Sequence, residues 1–162
     1  MAADRRFIRG AALVVLGAAG FLLLARNYSI GLDLQDTTCL DDRVYIIRHG
    51  CGEIYRGGAY AFRAEGLEPL IKDGSTLVKT VSGVPGDIVT ITAGRTEVNG
   101  VRVSGGPLMA GKFGHDTGYF TRSLSVPYGK YFLTGTNDRS LDSRYTGTVR
   151  EELCVGRAFP LF

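Results

Sequence analysis

The sequence predicts a mainly β fold: an antiparallel body, barrel-like or of coiled sheets, behind one N-terminal transmembrane helix. Three observations predict it. An uncharged apolar run opens the chain, short Val-, Ile- and Thr-rich segments separated by turn residues follow, and no long helical period appears after the opening run. The 162 residues include 23 glycines, about twice the usual share of ~7%, so turns are many and strands short. A content of 44% hydrophobic and 22% charged residues excludes a disordered chain. The length suits one domain that buries a real core, and no internal repeat is visible.

The opening element is built from Arg5, Arg6, Phe7, Ile8 and Arg9, then Gly10–Ala25 without a charge, then Arg26. Sixteen uncharged residues reach about 24 Å as a helix, short of a ~30 Å hydrocarbon core. Counting from Phe7 gives 19 residues, with Arg9 near enough to the end to snorkel. The chain therefore divides into residues 1–26, a cytoplasmic tip and transmembrane anchor, and residues 27–162, a body outside. The net charge of +3 belongs entirely to the first segment, where four arginines face one aspartate, and the body carries fifteen charges of each sign. Positive residues ahead of the run put the N-terminus in the cytoplasm. A neutral body is not a nucleic-acid binder, which spreads basic charge over its fold. A cleaved signal peptide is the competing reading, but Leu24-Ala25-Arg26-Asn27 makes a poor small-x-small cleavage site.

In the body, Asn27–Thr38 reads as a polar stretch and Val44–Ile47 as a short buried strand. Gly57-Gly58 turns the chain into a strand at Ala59–Arg63, and Ala64–Lys72 has room for a turn of helix. Asp73-Gly74 precedes a strand at Ser75–Val81, and Val84–Asp87 is a turn before Ile88–Thr92. Asn99-Gly100, between Glu97-Val98 and Val101–Val103, is a strong hairpin signal of the primed-turn type. Ser104–Pro127 is Gly-rich and weakly patterned, a loop with some strand near Tyr119–Thr121. Lys130–Thr134 and Arg157–Leu161 are late strands.

Within Ser75–Val81, alternation places Leu77, Lys79 and Val81 on one face. A lysine between Leu and Val along its own face is an odd choice for a solvated position. Burial disfavours the charged form of an amine, which is how a lysine becomes a general base, a task closed to arginine. The plainer reading is a snorkelling lysine on an edge strand. Cys39, Cys51 and Cys154 add an odd count. In the oxidising compartment outside the membrane, at least one of them is free or pairs between chains.

Read with its neighbours, Val78-Lys79-Thr80-Val81-Ser82-Gly83-Val84-Pro85-Gly86-Asp87 resembles the lysine motif of type I signal peptidases, where Lys-Arg-Val runs into Gly-x-Pro-Gly-Asp. Gly135-Thr136-Asn137-Asp138-Arg139-Ser140-Leu141-Asp142-Ser143-Arg144-Tyr145-Thr146-Gly147 resembles that family's last motif, Gly-Asp-Asn followed by Ser-x-Asp-Ser-Arg-x-x-Gly. Here Gly135 to Ser140 is one residue shorter than usual, and Thr136 replaces Asp. The tail Gly156–Phe162 looks like that of TraF-type conjugative-transfer peptidases. The family's nucleophile, usually Ser, falls just after the anchor. In Thr37-Thr38-Cys39-Leu40-Asp41-Asp42-Arg43-Val44-Tyr45, the residues Leu40, Val44 and Tyr45 keep its register and Cys39 takes the serine position. Asp41 stands where Pro is expected and Arg43 where Gly is. Ser29 competes for the role but lacks the pattern that follows.

The resemblance implies a Cys39–Lys79 dyad. Thr37 matches a hydroxyl that helps the nucleophile's own N–H hold the oxyanion, and Ser140 matches the serine that orients the amine. Asp142 and Arg144 match a bracing ion pair, although in TraF-type enzymes the Asp itself is considered catalytic. The thiolate is the attacking species, and reference values of about 8.5 for a thiol and about 10.4 for an amine put the proton on the lysine. Burial of Lys79 works against that gap of about two units and leaves the resting state open. A working Cys39 must escape disulfide formation, and Cys51 with Cys154 is the pairing compatible with that. The resemblance further implies a single-pass inner-membrane enzyme with a periplasmic catalytic domain. Its substrate is then an exported precursor, a pilin or secretion-system protein with small residues before the cut. The acyl group passes to water or, in a cyclising enzyme, to an amine. The partners expected are that polypeptide and the lipid bilayer, with no nucleic acid, and no cofactor or metal is expected. Two rival readings remain. One is a non-catalytic periplasmic assembly module descended from such a peptidase. The other, a sortase-like cysteine transpeptidase, needs a histidine ahead of the cysteine, whereas His49 and His115 both follow Cys39.

Overall fold

The computed structural model of the chain describes residues 2–32, 40 and 42–161. Helix α1 (Ala2–Asn27) is longer than the apolar run that predicts it. Its Gly10–Asn27 part has a mean hydropathy of 1.7 and buries none of its surface against the body. By length and composition it is a candidate membrane anchor. The Asn27 side chain donates to the Leu23 carbonyl, satisfying one of the free carbonyls at the helix end.

Among the described residues eleven short strands follow. A seven-stranded sheet takes the order β1 (Tyr28–Leu32), β2 (Val44–His49), β11 (Cys154–Pro160), β3 (Ala59–Arg63), β4 (Thr76–Gly83), β9 (Lys130–Thr134), β10 (Val149–Arg150). A four-stranded sheet runs β7 (Val101–Gly105), β6 (Arg95–Val98), β5 (Ile88–Ile91), β8 (Arg122–Ser125). Every strand pair is antiparallel. Both sheets are open, so the body is one of coiled sheets, without a closed barrel.

Period-two patterning divides the larger sheet's faces. Tyr60, Phe62 and Val81 join Ile54, Tyr131 and Leu133 in one core. The alternate residue Ala61 packs on the other side with Tyr45, Ile47, Ala158 and Leu40. Phe132 of β9 turns away into a cluster with Val89, Ile91, Val98 and Val126, which ties the two sheets together. The predicted hairpin joins β6 to β7, with Val98 opposite Val101. Its two central residues, Asn99 (φ 50°) and Gly100 (φ 79°), sit in the left-handed region that a primed turn requires. Gly156 is forced by crowding, since a Cβ there would collide with the Arg48 carbonyl; the register of β11 on β3 shifts at this point.

Three expectations need correction. The stretch after the anchor is not all polar loop, because β1 occupies Tyr28–Leu32. Tyr119–Thr121 is not strand: Gly118–Phe120 forms a 3₁₀ turn and the strand begins at Arg122. Ala64–Lys72 holds no helix, only a hydrogen-bonded turn in which the Leu70 and Ile71 amides donate to the Leu67 carbonyl.

Candidate active site

Strand β4 lies between β3 and β9, so Lys79 is not on an edge. The alternation that set Lys79 beside Leu77 and Val81 turns its side chain into the protein, where it is 1% exposed. Tyr60 stands directly opposite on β3. A buried ammonium or amine needs a polar partner, and Nζ donates to the Ser140 hydroxyl at 2.6 Å. Among the described residues no carboxylate forms an ion pair with Lys79. Beside it lies a cavity of about 30 Å³ lined by Phe62, Leu67, Leu77, Leu133 and Leu141.

Ser140 comes from the loop between β9 and the short helix α2 (Ser143–Thr146). Asp142 caps that helix by accepting from the Arg144 amide, and its other oxygen accepts from the Gly135 amide at 3.0 Å. Arg144, fully buried, meets both Asp142 oxygens, Nε at 2.8 Å and Nη2 at 2.9 Å. Its remaining N–H groups donate to the carbonyls of Gly106, Asn137, Asp138 and Ser140. Burial opposes the charge on Arg144, but the Asp142 carboxylate outweighs it and holds the guanidinium pKa above its ordinary value. Asn137 shapes the turn, its side-chain oxygen accepting from the Arg139 amide and its carbonyl from the Ser140 amide. The loop that presents Ser140 to Lys79 is thus fixed from inside by one bidentate ion pair and four backbone acceptors.

The lysine motif ends in a second brace. Asp87 accepts from the Val84 amide, Arg56 and Asn99, pinning the turn before β5 to the hairpin. Burial pushes its pKa up, yet those three donors prevail and hold the carboxyl below the ordinary value.

Thr37 and Cys39 lie outside the described residues. The residues on either side, Leu32 and Leu40, both line a groove of about 960 Å³, with Tyr45, Ile47, Thr76 and Val78 also in its wall. Leu77 and Arg63 line this groove and the small cavity at Lys79 alike. Cys51 and Cys154 form a disulfide with Cα atoms 6.2 Å apart, which leaves Cys39 as the remaining cysteine. Ser29 is not placed to act with Lys79. It pairs with Ile47 on the face opposite Lys79 and lies four strands from β4, at about 4.8 Å per strand. Its hydroxyl instead meets His49 Nε2 at 2.9 Å, while His49 Nδ1 meets the Arg26 carbonyl at 3.0 Å. Sequence reasoning missed this pair, and also Ser143, whose buried hydroxyl accepts from the Leu133 amide. The second serine of Ser-x-Asp-Ser-Arg was its only signal.

The described part of the site is thus a central-strand lysine held by a serine, on a loop braced by an Asp–Arg pair. The family model described as "Signal peptidase, peptidase S26" matches residues 5–162. The chain belongs to this family. It is 28% identical over 155 residues to a Synechocystis protein named "Probable signal peptidase I-2", covering 94% of this chain and 68% of that one. Identity is 37% over 94 residues to "Signal peptidase I V" of Bacillus subtilis, covering 52% of this chain and 56% of that one. A crystal structure of a signal peptidase I from Enterococcus faecalis V583 matches with a TM-score of 0.42 and 26% identity, over 67% of this chain and 98% of that one. The chain is therefore a signal-peptidase-type peptidase acting on precursor polypeptides. Membership in this family leaves no place for the sortase-like reading.

Proposed function

We propose that the chain is a membrane-anchored peptidase in which Cys39 is the nucleophile and Lys79 manages the proton. The observation that carries this reading is the buried Lys79–Ser140 contact on a central strand. Leu77 and Arg63 border both the lysine cavity and the groove lined by Leu32 and Leu40, whose Tyr45, Ile47 and Val78 wall lies on the opposite face of the sheet. The Cys39 thiolate attacks the scissile carbonyl carbon, and the Thr37 hydroxyl with the Cys39 amide holds the oxyanion. Collapse breaks the peptide bond; the leaving amine takes a proton from Lys79, and the acyl group stays on Cys39 as a thioester. Lys79 then removes a proton from an entering water, whose oxygen displaces the thiolate. If a substrate amine enters in place of water, the product is a new amide and the chain is cyclised. Ser140 positions the amine and Asp142–Arg144 hold Ser140.

In this reading α1 crosses the inner membrane once, with residues 1–26 as its cytoplasmic tip and anchor and residues 27–162 as the periplasmic catalytic domain. Four arginines against one aspartate in the first 26 residues support that orientation. The substrate is an exported precursor, with a pilin of a conjugative secretion system the specific expectation. The test is precursor maturation by the full chain in membranes. Cys39→Ala and Lys79→Ala each abolish cleavage, Cys39→Ser retains part of it, and Ser29→Ala leaves it intact. Full processing by both Cys39→Ala and Lys79→Ala would overturn the dyad and favour an assembly scaffold.

A further inference from the structure

Ser29 and His49 take no part in the mechanism above, yet their geometry is that of a reactive pair. Ser29 stands opposite Ile47 and Gly31 opposite Tyr45, so the Ser29 side chain shares the face of Tyr45 and Ile47, away from Lys79. The end of α1 leaves backbone carbonyls without helical partners, and His49 takes one of them: Nδ1 meets the Arg26 carbonyl at 3.0 Å. Nε2 meets Ser29 Oγ at 2.9 Å. A carbonyl only accepts, so Nδ1 carries the ring proton. In the neutral ring Nε2 then presents its lone pair, and the Ser29 hydroxyl donates to it. Hydroxyl, imidazole and a fixed acceptor behind the imidazole are the parts of an activated nucleophile, here with a backbone carbonyl as the orienting group. That carbonyl lies in the last turn of α1, whose partial negative charge favours the imidazolium formed when the serine gives up its proton.

Backbone alternation supplies an oxyanion donor. The Gly50 amide donates to the Val155 carbonyl, and the Leu161 amide donates to the Val44 carbonyl. Even-numbered residues of β2 therefore bond to β11, while Tyr45 and Ile47 bond to Gly31 and Ser29 of β1. Strand β1 is the edge of the sheet, so the amide of Ile30, the residue after Ser29, points off that edge, where an oxyanion can meet it.

Ser29 and His49 both line the groove of about 960 Å³, whose walls include Leu40, Tyr45, Ile47 and Val78. Its charged lining residues are Arg63 and Lys72, with no carboxylate among the described ones. Apolar walls suit a long hydrocarbon chain. An alcohol leaves more readily than an amine, so a site with a single backbone donor is matched to an ester before an amide.

We propose that Ser29 and His49 form a separate esterase-type site that takes long-chain acyl esters. The Ser29 proton passes to His49 Nε2 as Oγ adds to the ester carbonyl carbon. The bond from that carbon to the alcohol oxygen breaks, and His49 returns the proton to the leaving alkoxide. Water then adds to the acyl-serine while giving a proton to Nε2, and Oγ departs with that proton. The sum is ester and water to acid and alcohol.

The test uses the full chain in detergent micelles, carrying Cys39→Ala so that the peptidase thiol contributes nothing. A long-chain alkyl fluorophosphonate is expected to label Ser29, located by mass spectrometry of the peptides. Ser29→Ala abolishes that label, and His49→Gln slows it about 100-fold, the worth of a general base. Hydrolysis of p-nitrophenyl decanoate follows the same order and outpaces that of the acetate. Absence of label, label on another residue, or equal labelling in His49→Gln would overturn the site. Ester hydrolysis that survives Ser29→Ala would belong to imidazole acting alone and overturn it too. Acetate turned over as fast as decanoate would overturn the acyl-chain assignment. With Cys39 restored, precursor cleavage by Ser29→Ala stays at the parent rate; its loss would move Ser29 into the peptidase site and overturn the separate activity.

Discussion

Two ion pairs, each holding a carboxylate of one of the two motifs, do the same job in different surroundings. Asp142–Arg144 is wholly enclosed, with both side chains at 0% exposure, whereas Arg56–Asp87 joins a half-open arginine to a buried carboxylate, 44% against 8%. Each pins a turn. The enclosed pair fixes the loop that delivers Ser140 to Lys79; the open pair fixes the turn between the two sheets. Burial makes the difference. A guanidinium without water must have every N–H matched by protein acceptors, so the enclosed pair is rigid and intolerant of loss. The open pair keeps solvent as an alternative partner.

The largest way to break this comparison is Asp142→Ala. It strands the Arg144 charge in the interior and is expected to cost about 3–5 kcal/mol in chemical unfolding. A loss under 1 kcal/mol would show that water reaches Arg144 after all. Ser140→Ala comes next. It removes the hydrogen bond to the lysine without touching the brace, so kcat falls about 10- to 100-fold, the worth of a bond to a charged group. KM is expected to stay nearly constant and the unfolding midpoint to move little. A parallel rise in KM would mean that Ser140 serves substrate binding instead. The smallest effect belongs to the open pair, where Arg56→Ala costs about 0.2–1 kcal/mol.

Acid adds a finer test of the same pair. Because the folded Asp87 carboxyl titrates below its ordinary value, its contribution is complete above the unfolded pKa of about 3.9 and is lost as pH falls through the lower folded value. Unfolding midpoints measured downward from pH 6 therefore drop more steeply for the parent than for Asp87→Asn. Identical slopes would deny Asp87 that role.

What was legible in the sequence was whatever side chains encode. Asn99-Gly100 announced its hairpin, whereas the alternation of Leu77, Lys79 and Val81 only raised a buried lysine against the plainer edge-strand reading, and the motif around it tipped the balance. The Cys51–Cys154 pairing compatible with a working Cys39 is the one that forms. The bracing of the Ser140 loop was not legible beyond the Asp142–Arg144 pair, since the other acceptors on Arg144 are backbone carbonyls, one of them from Gly106 in a distant loop. Strand β1 escaped notice because its alternation is inverted, with Tyr28, Ile30 and Leu32 facing outward and Ser29 and Gly31 less exposed. A pattern rule that assumes apolar means inside has no purchase on a strand whose apolar side is the exposed one. The 3₁₀ turn at Gly118–Phe120 was lost for a different reason: Phe120 is buried against Phe113 and against Tyr145, which comes from the motif beyond β9.

The position of β11 also bears on how the enzyme is made. The last strand described is inserted between β2 and β3, so until it arrives the larger sheet exists only as two unjoined halves. The strands on the anchor side and the strand carrying Lys79 then belong to different pieces. Docking of Cys154–Pro160 against both neighbours is therefore what joins the strand carrying Lys79 to the strands that follow helix α1.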